Sequence, residues 1–181
     1  MKPTPTDLAQ PFLAQAARML QQVHLPHIEA CVQELSLEQI WWRANPASNS
    51  VGNLTLHLAG NVRQWIVSSL GGAPDQRKRE EEFSERGPIP RRILLARLRK
   101  AVREACLVLR DLQEENLART YSIQGFRVTG LSAVFHVVEH FALHAGQIIL
   151  LTKLLGGEDL KFTHLPGERK RKEKAKIIPT F

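Results

Sequence analysis

Apolar residues recur at steps of three and four along four long blocks of this chain, and alternating strand-like runs of any length are missing, so the sequence reads as amphipathic helices. The first block carries Phe12, Leu13, Ala16, Met19, Leu20 and Val23, then Ile28, Cys31, Val32 and Leu35 beyond Pro26, which should kink or break it. A connector from Trp41 to Ser50 offers Asn49 or Ser50 as N-cap of a second helix reaching about Leu70. Gly71-Gly72-Ala73-Pro74 stops that helix, and a charged loop, Arg77-Lys78-Arg79-Glu80-Glu81-Glu82, leads to Gly87-Pro88. In the third block Leu95, Leu98, Val102, Ala105, Leu109 and Leu112 form a seam for lengthwise packing. A loop around Tyr121 to Gly130 precedes the fourth helix, which starts near Thr129 to Leu131 and stops at Gly156-Gly157. The expected fold is all-α, a four-helix bundle.

A chain of 181 residues that is 43% hydrophobic supports one core, so residues 1–165 are expected to form a single domain and 166–181 a basic tail. Much of the formal charge of +7 is local to that tail, where Arg169, Lys170, Arg171, Lys172, Lys174 and Lys176 outnumber Glu168 and Glu173 by a net +4. No nucleic-acid role is expected from it: it has no interleaved aromatic residue before Phe181, and no helix-turn-helix or zinc-finger pattern precedes it. The apolar stretches are broken too often to suggest a membrane span, and the N-terminal residues lack the apolar core of a signal peptide, so a cytoplasmic protein is expected. Cys31 and Cys106 lie far apart in apolar segments, as small core residues do in a reducing compartment.

Three of the seven histidines, His136, His140 and His144, fall at four-residue steps on the fourth helix, and residues four apart share one face. Two imidazoles at that spacing can hold one ion from a single helix, and the missing ligand should come from a facing helix. His57, among leucines on the second helix, is the candidate, whereas His24, His27 and His164 are placed less favourably. Buried imidazoles without partners would cost roughly 1–3 kcal/mol each, and a shared ion removes that cost. Spacing alone does not choose between His136/His140 and His140/His144. The odd histidine is expected to orient a ligand or line a pocket, and Asn61 and Gln147, about one turn past His57 and His144, are expected either to orient ligands or to make plain interhelical hydrogen bonds.

These residues, Asn49-Ser50-Val51-Gly52-Asn53-Leu54, His57-Leu58-Ala59-Gly60-Asn61 and His140-Phe141-Ala142-Leu143-His144-Ala145-Gly146-Gln147-Ile148, resemble the DinB-like superfamily of four-helix metalloproteins. The similarity runs from about Pro11 to Phe162. It is strongest toward a branch of uncharacterised bacterial proteins that shares the run from Gly60 to Ile66 and the loop from Arg79 to Phe83. The resemblance implies an up-up-down-down bundle, ligation by His57, His140 and His144 with His136 left out, and frequently a homodimer. Relatives with known reactions include transferases and isomerases that use bacillithiol or mycothiol. Ala145 departs from the arginine often found there, so no substrate contact is carried over at that position.

Three neutral histidines leave coordination positions open, as in catalytic rather than structural sites. The expected cofactor is one divalent ion, zinc, nickel or iron. The expected activity is transfer or hydrolysis on a small molecule, with a low-molecular-weight thiol as the leading substrate. The competing expectation is a bundle that the ion only stabilises, without catalysis. Arg63, Arg77, Arg79, Trp41, Trp42 and Trp65 are candidates for a pocket mouth, and Glu139 is expected to face outward.

Overall fold

The computed structural model describes residues 8–156 and 159–162. Four long rods form the expected up-up-down-down four-helix bundle. The first joins α1 (Ala9–Arg18) to α2 (Leu25–Glu34) through a π turn, Met19–His24. The second is α4 (Val51–Val62) extended by a π turn, Arg63–Ser68; the third is α6 (Arg91–Asp111), and the fourth is α8 (Gly130–Gly156). Shorter helices α3 (Leu37–Trp41), α5 (Arg79–Ser84) and α7 (Glu114–Ala118) lie in the connections. The second rod is central, packing against both α6 and α8, while α1 meets α6 and α2 meets α8. Leu20, Ile28, Leu58, Ile66, Leu98, Leu109 and Phe141 are fully buried in the shared core.

Pro26 neither breaks nor ends the first rod. It sits in the first turn of α2, after the π turn, so its missing N–H falls where the helix has already widened. Ser50, rather than Asn49, caps α4: its hydroxyl accepts from the Asn53 N–H at 3.1 Å, and the Asn53 side chain accepts from the Ser50 N–H at 3.2 Å.

The segment expected to be a loop before the fourth helix contains a β-hairpin, β1 (Thr120–Ile123) paired antiparallel with β2 (Phe126–Thr129). Gln124 and Gly125 both have positive φ, at 53° and 83°, which a two-residue hairpin turn of the primed type requires. Glycine accepts that conformation readily and glutamine does not, so the turn carries only half of its usual sequence signal.

The α8 helix is long and apolar enough to cross a membrane by length and composition alone. Its inner face, Val134, Val137, Phe141, Ala145 and Ile148, packs in the bundle core. The basic tail, His164 and the glycine stop at Gly157 lie outside the described residues.

Candidate metal centre

His57 lies near the middle of α4, and His140 and His144 lie one turn apart on α8, so two packed helices deliver three imidazoles to one point. One ring nitrogen from each lies within 4.8 Å of the others. The Nε2 atom of His140 is 3.0 Å from Nε2 of His57 and 3.1 Å from Nε2 of His144. Nitrogens that share an ion at 2.0–2.1 Å stand about 3 Å apart, so the spacing fits one metal ion.

The partners at the opposite nitrogens fix which atoms face inward. Nδ1 of His57 is 2.9 Å from Oε2 of Glu82. Burial opposes ionisation of that carboxyl, but hydrogen bonds from Arg77 and His57 outweigh it and hold its pKa below the ordinary carboxylate value. An ionised carboxylate only accepts, and Nη2 of Arg77, 3.1 Å from the same ring nitrogen, donates to Oε2 of Glu82 at 2.8 Å instead, so Nδ1 carries the proton and Nε2 of His57 is a bare lone pair. In the same way Nδ1 of His144 donates to Oε1 of Gln147 at 2.7 Å, which leaves its Nε2 bare.

His140 sits between these two lone pairs, and its own Nδ1 is buried with no hydrogen-bond partner among the described residues. A single proton on His140 Nε2 cannot make two well-directed bonds at once, whereas a cation satisfies all three nitrogens. Burial first, then the neighbouring imidazoles and Arg77, push the pKa of His140 down to about 3, and burial also lowers those of His144 and His136. Neutral imidazoles are the form that ligates.

Glu82 reaches His57 from the charged loop. Its carboxylate is paired with Arg77, Nε to Oε1 at 2.7 Å and Nη2 to Oε2 at 2.8 Å, and the two side chains are only 11% and 4% exposed. The loop is pinned from below: the Asn53 side chain donates to the carbonyls of Glu82 and Glu85 at 2.8 and 3.0 Å, and Arg43 donates to the carbonyl of Phe83 at 2.7 Å. Gly60, one turn past His57, makes room for the ion pair, because a Cβ there would stand 1.9 Å from Oε1 of Glu82. Phe83 then closes over His57, ring centroids 4.5 Å apart, and the Arg79 guanidinium lies 4.9 Å above Phe83.

A cavity of about 610 Å³ opens beside His57 and His140. Its walls are Trp65, Phe126, Val128, Leu131 and Phe135, with Arg77 and Arg79 supplying positive charge. A second cavity of about 590 Å³, lined by charged groups including Arg63, Lys100 and Glu104, shares only Arg77 with the first.

The expected residues sort clearly. His136 does not join the three nitrogens; it stacks on Trp65, centroids 4.1 Å apart, in the cavity wall. Gln147 meets His144, its Oε1 2.7 Å from Nδ1 of the ring. Asn61 makes no hydrogen bond to a histidine: it is buried on the cavity lining and its Oδ1 has no partner among the described residues. Arg77, Arg79 and Trp65 line the cavity, while Arg63 pairs with Glu104 at 2.7 Å on the other side, and Trp41 and Trp42 line neither cavity. Glu139 is exposed at the rim. Cys31 and Cys106 are free, and burial pushes the Cys106 thiol up to about 11, far from a reactive thiolate.

Sequence reasoning missed Glu82 as a partner of His57. The available signal was the acidic residue inside the shared Arg79 to Phe83 loop, read together with the small residue Gly60 one turn past His57.

Three solved structures share the fold. A conserved protein from Enterococcus faecalis is 17% identical, with a TM-score of 0.63 over 86% of this chain and 99% of its own. A DinB-like protein from Bacillus cereus is 15% identical, with a TM-score of 0.58 over 75% of this chain and 87% of its own. The DinB-like protein YjoA from Bacillus subtilis is 18% identical, with a TM-score of 0.60 over 87% and 99%. No curated protein matches the chain. A family model described as a protein of unknown function, DUF1572, matches residues 7–169, and with the DinB-like fold and the three-histidine group in place the chain belongs to that family.

Proposed function

We propose that the protein binds one divalent metal ion through Nε2 of His57, His140 and His144 and uses it to transfer or hydrolyse a small molecule, with conjugation of a low-molecular-weight thiol to an electrophile as the leading reaction. The observation that carries this reading is the convergence of three Nε2 atoms, two of them stripped of protons by Glu82 and Gln147, at the edge of a cavity of about 610 Å³. A purely structural ion would be closed in by protein ligands; here Glu82, the carboxylate that bonds His57, does so from the Nδ1 side of the ring and is tied to Arg77.

Imidazole donors suit zinc, nickel or iron. When bound, such an ion supplies Lewis acidity, which lets a neighbouring oxygen or sulfur donor lose its proton near neutral pH. The chain's own residues do the rest. Glu82 and Gln147 hold the ligand rings in the metal-binding tautomer. The walls of Trp65, Phe126, Leu131 and Phe135 exclude water from an apolar electrophile, and Arg79 at the mouth attracts a carboxylate on either reactant. His136, kept neutral by burial, offers a ring nitrogen as proton acceptor in the cavity wall.

The test is to incubate zinc-, nickel- and iron-loaded protein with a panel of small thiols and a chlorinated nitrobenzene. Aryl thioether formation and chloride release should appear with at least one thiol, vanish on chelation and return on reloading. Metal-loaded protein that gains thermal stability but accelerates no member of the panel would overturn the enzymatic reading and leave a metal-stabilised scaffold.

A further inference from the structure

Among the described residues seven buried side-chain nitrogen or oxygen atoms have no hydrogen-bond partner, and three of them belong to residues that line the cavity beside His57: Oδ1 of Asn61, Nε1 of Trp65 and Nδ1 of His140. Asn61 is 3% exposed and Trp65 is 6% exposed. Burying a polar group without a partner is unfavourable, so their gathering around one cavity calls for a ligand that supplies what is missing. Other polar groups of the wall are engaged or reach water. Arg77 grips Glu82, Gln124 donates to Gln64, Ser132 meets Thr129, and Arg79 and Glu139 are exposed.

His57, Asn61 and Trp65 follow one another at four-residue steps along the second rod. His57 meets His140, and Trp65 stacks on His136 with centroids 4.1 Å apart, so Asn61 stands between the three-histidine point and that stack. Nδ1 of His140 belongs to the metal centre, whereas Asn61 and Trp65 do not. An indole N–H only donates and an amide oxygen only accepts. A ligand that answers both carries an acceptor beside a donor. An ionised carboxylate serves Trp65 and leaves Asn61 Oδ1 unmatched, and an apolar ring serves neither. A carbonyl oxygen with a neighbouring N–H serves both, and it spreads them over two atoms, as suits side chains rooted a helical turn apart.

We propose that Asn61 and Trp65 form the specificity subsite of this cavity and select a small molecule with an amide-type group, whose N–H donates to Oδ1 of Asn61 and whose carbonyl oxygen accepts from Nε1 of Trp65. This rests on the reading of the cavity as the place where the substrate binds, and it narrows that substrate to an apolar body among Phe126, Leu131 and Phe135 that carries an amide on the Asn61 side of the three histidines. The subsite rejects as well as attracts, because an analogue without the N–H leaves Oδ1 buried and unmatched.

Binding is measured on the full chain, metal-free and zinc-loaded, so the result is readable whether or not the proposed reaction occurs. N-methylbenzamide should bind at least about tenfold more tightly than methyl benzoate, which keeps the carbonyl and loses the N–H. It should also move the indole N–H proton resonance of Trp65 downfield, that resonance being assigned by its absence in Trp65→Phe. Asn61→Leu should erase the preference for amide over ester. Trp65→Phe, which keeps an aromatic ring against His136, should weaken N-methylbenzamide binding about tenfold with unchanged helical circular dichroism. Equal binding of amide and ester, or no binding of either at millimolar concentration, would overturn the proposal. So would an amide preference that survives Asn61→Leu; if zinc affinity falls in that variant, Asn61 serves Nδ1 of His140 instead. Absence of turnover with the amide preference intact would leave the subsite standing and overturn only the reaction.

Discussion

His57 and His144 present Nε2 to the same point from different helices, and each is held at Nδ1, but by unlike devices. His57 is gripped by a buried carboxylate that comes from a separate loop, is paired to Arg77 and is admitted by Gly60. His144 is held by Gln147, three residues along its own helix and exposed to solvent. The first device is long-range and desolvated, so its removal leaves a buried charge behind. The second is local and wet, so water can replace it. The contrast predicts that one side of the site is rigid and costly to disturb, and the other is forgiving.

The largest effects test whether both sides are needed at all. Elemental analysis of the wild type should find one ion per chain; His57→Ala and His144→Ala should each abolish it, while His136→Ala should retain it. Next comes the rigid side. Glu82→Ala leaves Arg77 unpaired in a buried setting, so it should cost about 3–5 kcal/mol of stability in urea unfolding, and it should weaken metal binding about 10–100-fold. Glu82→Ala behaving like a surface change would erase the contrast.

The metal-free protein should also lose stability in acid. The folded pKa of His140 is about 3 against an ordinary 6.5, so between these values the unfolded chain binds more protons than the folded one. Unfolding free energy must therefore fall as pH drops through 6.5 toward 3, and denaturant midpoints at a series of pH values give the slope. Gly60→Ala should act only through the clasp: metal binding weakens several-fold as the Glu82 carboxylate is pushed aside, while the better helix propensity of alanine, about 1 kcal/mol, offsets part of the strain. Gln147→Ala should be mildest, near the roughly 1 kcal/mol of an ordinary hydrogen bond, read as a few-fold change in affinity by competition with a chelator.

The same contrast explains what could be read from sequence. His140, His144 and Gln147 announce themselves because helical periodicity makes neighbours of residues three and four apart. The four rods were legible for the same reason, and Ser50 is one of the two caps that the sequence offered for α4. Glu82 was not legible as a partner of His57, because its position depends on Asn53 and Arg43 anchoring a loop, and no local period encodes that. The hairpin escaped because Gln124 occupies a positive-φ position that normally advertises itself with asparagine, aspartate or glycine. The π turns were invisible because an extra residue in a helix shifts the apolar phase without adding a signal of its own, which is also why Pro26 looked like a break.

The most direct measurement is anomalous diffraction at the zinc edge from crystals of the zinc-loaded protein. The account predicts one strong peak per chain about 2.0–2.1 Å from Nε2 of His57, His140 and His144, with at least one coordination position facing the cavity beside Trp65 and His136. A peak held by other residues, or none at these three nitrogens in fully loaded protein, would contradict it.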